Sequence, residues 1–307
     1  MPFKFKRIEI ALGSYIEYNS KIERELGWQR NQIEKKTGIK KRYISNAKQT
    51  TEKLAIKSLK KLAKKTSLSG VRYIISVTNT PSIQFPSLAH RIFSICKFHK
   101  DTFCIGLNSG CSGYVDALII ANKFLKRNGG DIIIVTADTY SKKIKKDNRS
   151  IRPLFSDGAS CTLLTFSKNG WEIVEEKYSI KKGTTNYLSL KNDTSNKMEN
   201  ITMDGPEVLS FGISEVIPAI SSILKNTKGR CVLFAHQAGK IMIDVIKNKL
   251  NKKIIFPTNY EKYGNLVSTS IPNLIKEYFS LLNKCDSAIL SGFGVGLAQS
   301  HIKIKKK

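Results

Sequence analysis

Short apolar runs alternate along this chain with stretches whose apolar positions recur at helical spacing. Strand-like runs fall at 8–12, 71–77, 104–107, 131–136, 161–166, 231–234 and 288–291. Helical periodicity covers 51–65, 87–98, 112–126, 205–225, 238–250 and 268–282. Strands alternating with helices predict an α/β architecture whose sheet is largely buried. The helix after residue 112 should stop at Gly129-Gly130. Residues 181–200 read as a polar, exposed loop, and Lys305-Lys306-Lys307 as a solvated end.

The pattern repeats weakly. A strand at 72–77, a polar loop and a helix at 87–98 are echoed by a strand at 231–234, a loop and a helix at 238–250. Each half closes on a glycine-containing turn, Phe155-Ser156-Asp157-Gly158-Ala159 in the first and Gly292-Phe293-Gly294-Val295-Gly296 in the second. Two similar halves follow, 1–168 and 169–307, and 307 residues suffice to bury a substantial core. Asp157 is read as pinning its turn.

Composition changes this picture in two places. The formal net charge is +28, but 42 of the 52 basic residues are Lys, spread over every predicted helix, while Arg, suited to bidentate phosphate contacts, is scarce. No nucleic-acid partner is expected; the charge would instead steer an acidic carrier protein or a phosphorylated cofactor. The six cysteines are scattered without a C-x-x-C pair, the N-terminus breaks its apolar run with Lys and Arg, and no uninterrupted apolar stretch is long enough for a bilayer. Reduced thiols, a cytoplasmic location, and neither signal peptide nor membrane association are expected.

Candidate chemistry centres on Cys111 in Asn108-Ser109-Gly110-Cys111-Ser112-Gly113-Tyr114, between an apolar strand and a helix. At such an elbow the sulfur lies near the first unpaired N–H groups of the helix, whose partial charge favours thiolate. His236 closes the strand Phe234-Ala235-His236-Gln237-Ala238, and Asn265 follows a glycine in Tyr263-Gly264-Asn265. Cys, His and Asn in this order form a candidate acyl-transfer site.

With these residues the chain resembles the β-ketoacyl-acyl carrier protein synthase III family of thiolase-fold condensing enzymes. The likeness also rests on Lys36-Thr37-Gly38-Ile39-Lys40-Lys41-Arg42, Thr80 to Ser87, Met203-Asp204-Gly205-Pro206-Glu207-Val208, Ser270-Ile271-Pro272 and Gly292 to Leu297, and it spans nearly the whole length. It implies a duplicated thiolase-like fold, five-layered α-β-α-β-α, in a homodimer. Cys111 would take an acyl group from a coenzyme A or acyl carrier protein phosphopantetheine thioester. His236 and Asn265 would donate hydrogen bonds to the thioester oxygen of a malonyl acceptor, whose decarboxylation leaves enolate charge there. The backbone N–H groups of Cys111 and Val295 would hold the acyl oxyanion, and no metal is implied. Phe85 is read equally as plain core and as a dimer-interface residue pointing into the partner's acyl pocket.

Departures from the family pattern concern what is bound. Val295 stands where glycine is usual; Gln32 takes the place of a Trp that stacks on adenine, with Trp28 one helical turn away; and Lys36 replaces Arg, while Arg149 matches. In the carrier groove Ser210 and Ile241 replace basic residues and Gly239 replaces an Asn, with Lys240 able to restore one charge. With Gln32, Gly239, Ser210 and Ile241 altered, the resemblance also admits transfer of the Cys-bound acyl group to an alcohol or amine in specialised or sugar metabolism. The Cys-His-Asn order alone also fits a papain-like peptidase, which would need a Cys-Gly-Ser-Cys-Trp context this chain lacks.

Overall fold

A computed structural model describes residues 2–128, 130–193, 198–250 and 254–307. Its strands are β1 (Phe3–Leu12), β2 (Tyr15–Tyr18), β3 (Lys41–Ile44), β4 (Val71–Val77), β5 (Phe103–Leu107), β6 (Asp131–Asp138), β7 (Gly158–Phe166), β8 (Trp171–Ile180), β9 (Leu188–Asp193), β10 (Met198–Met203), β11 (Cys231–Ala235), β12 (Ser287–Phe293) and β13 (Ala298–Lys306). Nine of them join in the order β11-β12-β13-β8-β1-β7-β6-β4-β5. The continuity is thin at one point, where β1 meets β8 only through Phe3 and Trp171. On either side the pattern is the same: β1, β7, β6 and β4 on one flank correspond to β8, β13, β12 and β11 on the other, and the innermost pairings of each flank are antiparallel.

Three helical layers sandwich these two flanks. The helices Thr51–Ala63 and Leu88–Phe93 cover the outer face of the first, where Leu54, Leu59 and Leu62 pack on Val71, Ile74, Ile133 and Val135. Gly113–Asn128 and Ser270–Glu277 lie between the flanks, burying Val115, Leu118, Ile271 and Leu274 against Ile75 and Ile134 on one side and Leu290 and Ile302 on the other. On the far face, Phe211, Ile217 and Ile220 with Met242 and Ile246 cover Leu233 and Ile289. Helices outside and between the two flanks of the sheet give the five-layered order the resemblance implied.

Where sequence and structure differ, polar residues are the reason. Residues 181–200 are no plain loop: β9 and β10 pair antiparallel from Leu188↔Met203 to Asp193↔Met198, with Leu188 and Ile201 buried. The lysine-rich end is the backbone of β13, whose Lys306 N–H bonds the Asp286 carbonyl while the side chains of Lys305 to Lys307 are exposed. Trp28 is not on a helix with Gln32; it sits in the turn between Asn19–Glu25 and Gln32–Thr37. The expected stop at Gly129 lies outside the described residues, while Gly130 has φ +87°. One helix, Gly205–Lys225, is long and apolar enough by length and composition to cross a bilayer, although no uninterrupted apolar stretch of that length occurs in it. It carries Glu207 and Glu215, and its inward face is the Phe211, Ile217 and Ile220 packing just described.

Glu9 of β1 ties three elements together, accepting from Lys65 (2.8 Å) and from Lys276 (2.7 Å) of the central helix Ser270–Glu277. Burial alone would raise this carboxyl; the two ammonium groups outweigh it and hold the pKa at about 2. A depressed carboxylate stabilises the fold above its unfolded pKa, and the gain disappears as pH falls from about 4.5 toward about 2. Glu9→Gln should therefore cost on the order of 2 kcal/mol at pH 7, discounted because the lysines are half exposed. Urea unfolding of both proteins should give curves that converge in acid and separate as pH rises through 4.

Candidate active site

The nucleophile turn is built by exclusion of side chains. After β5 the chain enters a short 3-10 turn, Gly110–Ser112, that runs into the helix Gly113–Asn128. Gly110 has φ +56°, and a Cβ there would lie 2.6 Å from both Asn79 Oδ1 and Val295 Cγ2. From the other flank comes the turn after β12. A Cβ on Gly292 would stand 2.7 Å from Ser112 Cα, and one on Gly294 would stand 3.0 Å from Cys111 Sγ. The positive φ angles of this turn fall on Gly294, Gly296 and Leu297, not on Val295, so a branched side chain is accommodated where glycine was expected.

Cys111 is 3% exposed. Burial pushes its thiol up to about 12, the nearby Asp138 carboxylate adds to the rise, and the backbone N–H groups of Val295 and of Cys111 itself offset only part of it. This corrects the expectation that the helix end favours thiolate: desolvation wins, and the resting group is a neutral thiol. The same two N–H groups, aimed at the sulfur, are positioned to hold charge on an oxygen attached beside it.

His236 follows β11 and is likewise buried; desolvation brings its pKa down to about 3, partly offset by the Val267 backbone, so the imidazole is neutral at pH 7. Phe293 packs edge-on against it with ring centroids 5.6 Å apart, and Nδ1 has no partner. Asn265 is fixed by its backbone, which exchanges bonds of 2.9 Å with Leu154 and Ser156. Its side-chain Oδ1 accepts from the Val267 N–H at 2.9 Å, which leaves the amide N–H donors for a ligand. Asp157 holds the Ser45 N–H at 2.7 Å and the Ser141 N–H at 3.0 Å, the turn-pinning role expected of it.

One cavity of about 750 Å³ reaches Cys111, His236 and Asn265 at its inner end and Trp28, Gln32, Lys36 and Arg149 at its mouth. Leu188, Met203, Val208 and Leu209 add apolar surface to its lining. Gly239 and Lys240 also line it, but Lys240 is ion-paired to Asp244, and Gly239, at φ +120°, occupies a conformation that disfavours any side chain. Sequence reasoning passed over Trp28 as a site residue. Its ring is flanked by Lys36 Nζ at 4.9 Å and Arg149 at 5.4 Å, and its buried Nε1 has no partner. The signal was present in the missing aromatic at Gln32. Phe85 is 84% exposed, which removes the plain-core reading.

This duplicated sheet, with a buried cysteine, a histidine and an asparagine lining one cavity, defines a thiolase-like condensing enzyme. Residues 105–181 match the family model of 3-oxoacyl-[acyl-carrier-protein] synthase III, and 230–304 match its C-terminal model. A β-ketoacyl-[acyl-carrier-protein] synthase III of Clostridium novyi is 32% identical over 288 residues, 86% of this chain and 87% of that one. A crystal structure of a 3-oxoacyl-(acyl-carrier-protein) synthase III superposes with TM-score 0.88 at 24% identity, covering 99% of this chain and all of that one. The synthase III of Pseudomonas aeruginosa PAO1 superposes with TM-score 0.87 at 19% identity, covering 100% and 98%; these two likenesses bear on the fold. The chain belongs to the β-ketoacyl-[acyl-carrier-protein] synthase III family and is a condensing acyltransferase.

A thiol with a pKa near 12 has a distinctive titration. Alkylation of Cys111 by iodoacetamide should accelerate about tenfold per pH unit from 7 to 10 without levelling, because only the thiolate reacts. A plateau near pH 8, followed by peptide mass spectrometry, would contradict the burial argument.

Proposed function

We propose that Cys111 is the nucleophile of a decarboxylative condensation and that His236 and Asn265 act on the second substrate. In the first half, sulfur attacks the carbonyl of an acyl thioester, the oxyanion rests on the N–H groups of Cys111 and Val295, and the donor thiol leaves with the proton that Cys111 gives up. In the second, the C–CO2 bond of a malonyl thioester breaks, CO2 departs, and enolate charge gathers on the thioester oxygen. The enolate carbon then attacks the acyl carbon, the C–S bond to Cys111 breaks to leave a thiolate that regains a proton from solvent, and a β-ketoacyl thioester is released. The observation that carries this reading is the pair of neutral donors, a histidine that desolvation keeps uncharged at pH 7 and an asparagine amide with its oxygen already occupied, buried in the same cavity as the thiol. Fixed neutral dipoles stabilise growing enolate charge without reorganising.

The donor thioester enters at Trp28, Lys36 and Arg149, an aromatic face beside two cations suited to a coenzyme A nucleotide or a carrier-protein phosphopantetheine; Gly239 and Lys240 would flank the arm. The halves 1–168 and 169–307 contribute the nucleophile and the two donors respectively. A cytoplasmic homodimer fits the reading: β5 ends the sheet with its outer edge free of strands among the described residues, Phe103 at its start is exposed, and so are Ile83 and Phe85 in the segment that follows β4. Phe85 of each copy would then reach the partner's acyl pocket.

Cys111→Ser should abolish acyl transfer to the protein, read by intact mass. His236→Ala and Asn265→Ala should still be acylated and yet lose condensation by about 10²–10³, the usual loss for one donor to a developing oxyanion. Normal condensation by both would refute their assignment. At the mouth, Lys36→Ala with Arg149→Ala should raise KM for the acyl thioester about fivefold to tenfold with kcat nearly unchanged, since binding remote from the reacting carbon is uniform. An unchanged KM at low salt would place the donor elsewhere.

A further inference from the structure

Val267 is a β-branched residue with φ +53°, a left-handed conformation that such a residue avoids by about 1–2 kcal/mol. It lies at the centre of the site. Its N–H holds the Asn265 side-chain oxygen at 2.9 Å, its backbone bears on the His236 imidazole, and its side chain packs in the cluster that contains Cys111. One strained residue thus bears on both proposed donors, through its N–H on Asn265 and through its backbone on His236, so relaxation of its φ would disturb both.

The strain is held from outside. Ser268, the next residue, donates its hydroxyl to Asp138 Oδ2 at 2.6 Å. Asp138 ends β6 on the opposite flank and is fully buried, with its other oxygen accepting from the Asn79 N–H at 2.8 Å and from the hydroxyls of Thr80 at 3.3 Å and Thr78 at 3.4 Å. Thr269 adds a hydroxyl contact to Thr136 of β6 at 2.7 Å. Strained residues persist where surrounding bonds over-determine them, and here those bonds cross from one flank to the other. We propose that Ser268, anchored by Asp138, is the positioning residue that keeps Val267 left-handed and thereby aims His236 and Asn265 at the second substrate.

The proposal rests on the condensation reading and separates from it in the test, a double-mutant cycle of Ser268→Ala and Val267→Gly. Glycine adopts positive φ without strain, so it removes the need for the anchor. With Val267 unchanged, Ser268→Ala should lower kcat for condensation of a malonyl thioester about tenfold or more, with its KM and the rate of Cys111 acylation each within about twofold, since small misplacement of aligned groups costs the chemical step. In the Val267→Gly background, Ser268→Ala should change kcat by less than about twofold. If Ser268→Ala does not fold by circular dichroism, Val267→Gly against the double variant carries the comparison: parity supports the anchor, and a tenfold gap overturns it. A wild-type kcat in Ser268→Ala, or an equal fall in both backgrounds, also overturns it. Failure of the unaltered enzyme to acylate Cys111 from any thioester would overturn the functional reading as well.

Discussion

Everything at the site depends on two turns meeting so closely that glycine is required on both sides of the contact. The nucleophile turn from one flank and the glycine turn from the other approach so closely that a methyl group on Gly292 or Gly294 would collide with Ser112 or Cys111. That approach brings the Val295 N–H to the sulfur and closes the inner end of the cavity. A cysteine on one flank and a histidine and asparagine on the other become one site only because this seam is thin.

The seam also sets the electrostatics. Excluding water from the meeting point raises the thiol and lowers the imidazole together, one to about 12 and the other to about 3. Both groups are consequently uncharged before substrate arrives, and the backbone N–H dipoles of Cys111 and Val295 and the nearby Asp138 act on the sulfur in opposite senses. Such a site does little to a neutral thioester and much to any oxygen that acquires charge, which is the differential binding that accelerates a step.

The sequence made the buried strands legible and concealed the polar ones. Apolar runs such as 132–135 and 231–234 gave β6 and β11 almost to their ends. β13 escaped because its buried polar side chains bond laterally: His301 reaches Ser291 at 2.9 Å and Gln299 at 2.7 Å, and Lys303 reaches the Asn226 carbonyl at 3.1 Å. β8 escaped because charged residues recur along a strand that is mostly half-buried or exposed. Periodicity reads burial and not satisfaction, so a strand whose polar groups find partners looks like surface. At the site, Cys111, His236 and Asn265 stood out by their turns, and the structure gathers them in one cavity. Their protonation did not, because it depends on desolvation by residues distant in the chain, and neither did Val267, whose backbone angle no residue type announces. Trp28 was misplaced by one element, since Glu23 takes the N–H groups of Asn31 and Ile33 and starts a new helix beyond it.

The place of β13 in the sheet has a consequence for how the molecule is made. It is the last strand in chain order, yet it lies between β12 and β8, paired along its length with both. During synthesis the first flank, whose strands all precede residue 167, can assemble while the second is still a set of separate edges. β8 has been waiting for more than a hundred residues by the time its neighbour emerges, an interval in which its ladder groups are open to wrong partners. The charges along β8, Glu172, Glu175, Glu176 and Lys177, are the kind that keep such an edge soluble in the meantime. On this view the charged character that disguised the strand in the sequence is the safeguard of a sheet that closes late.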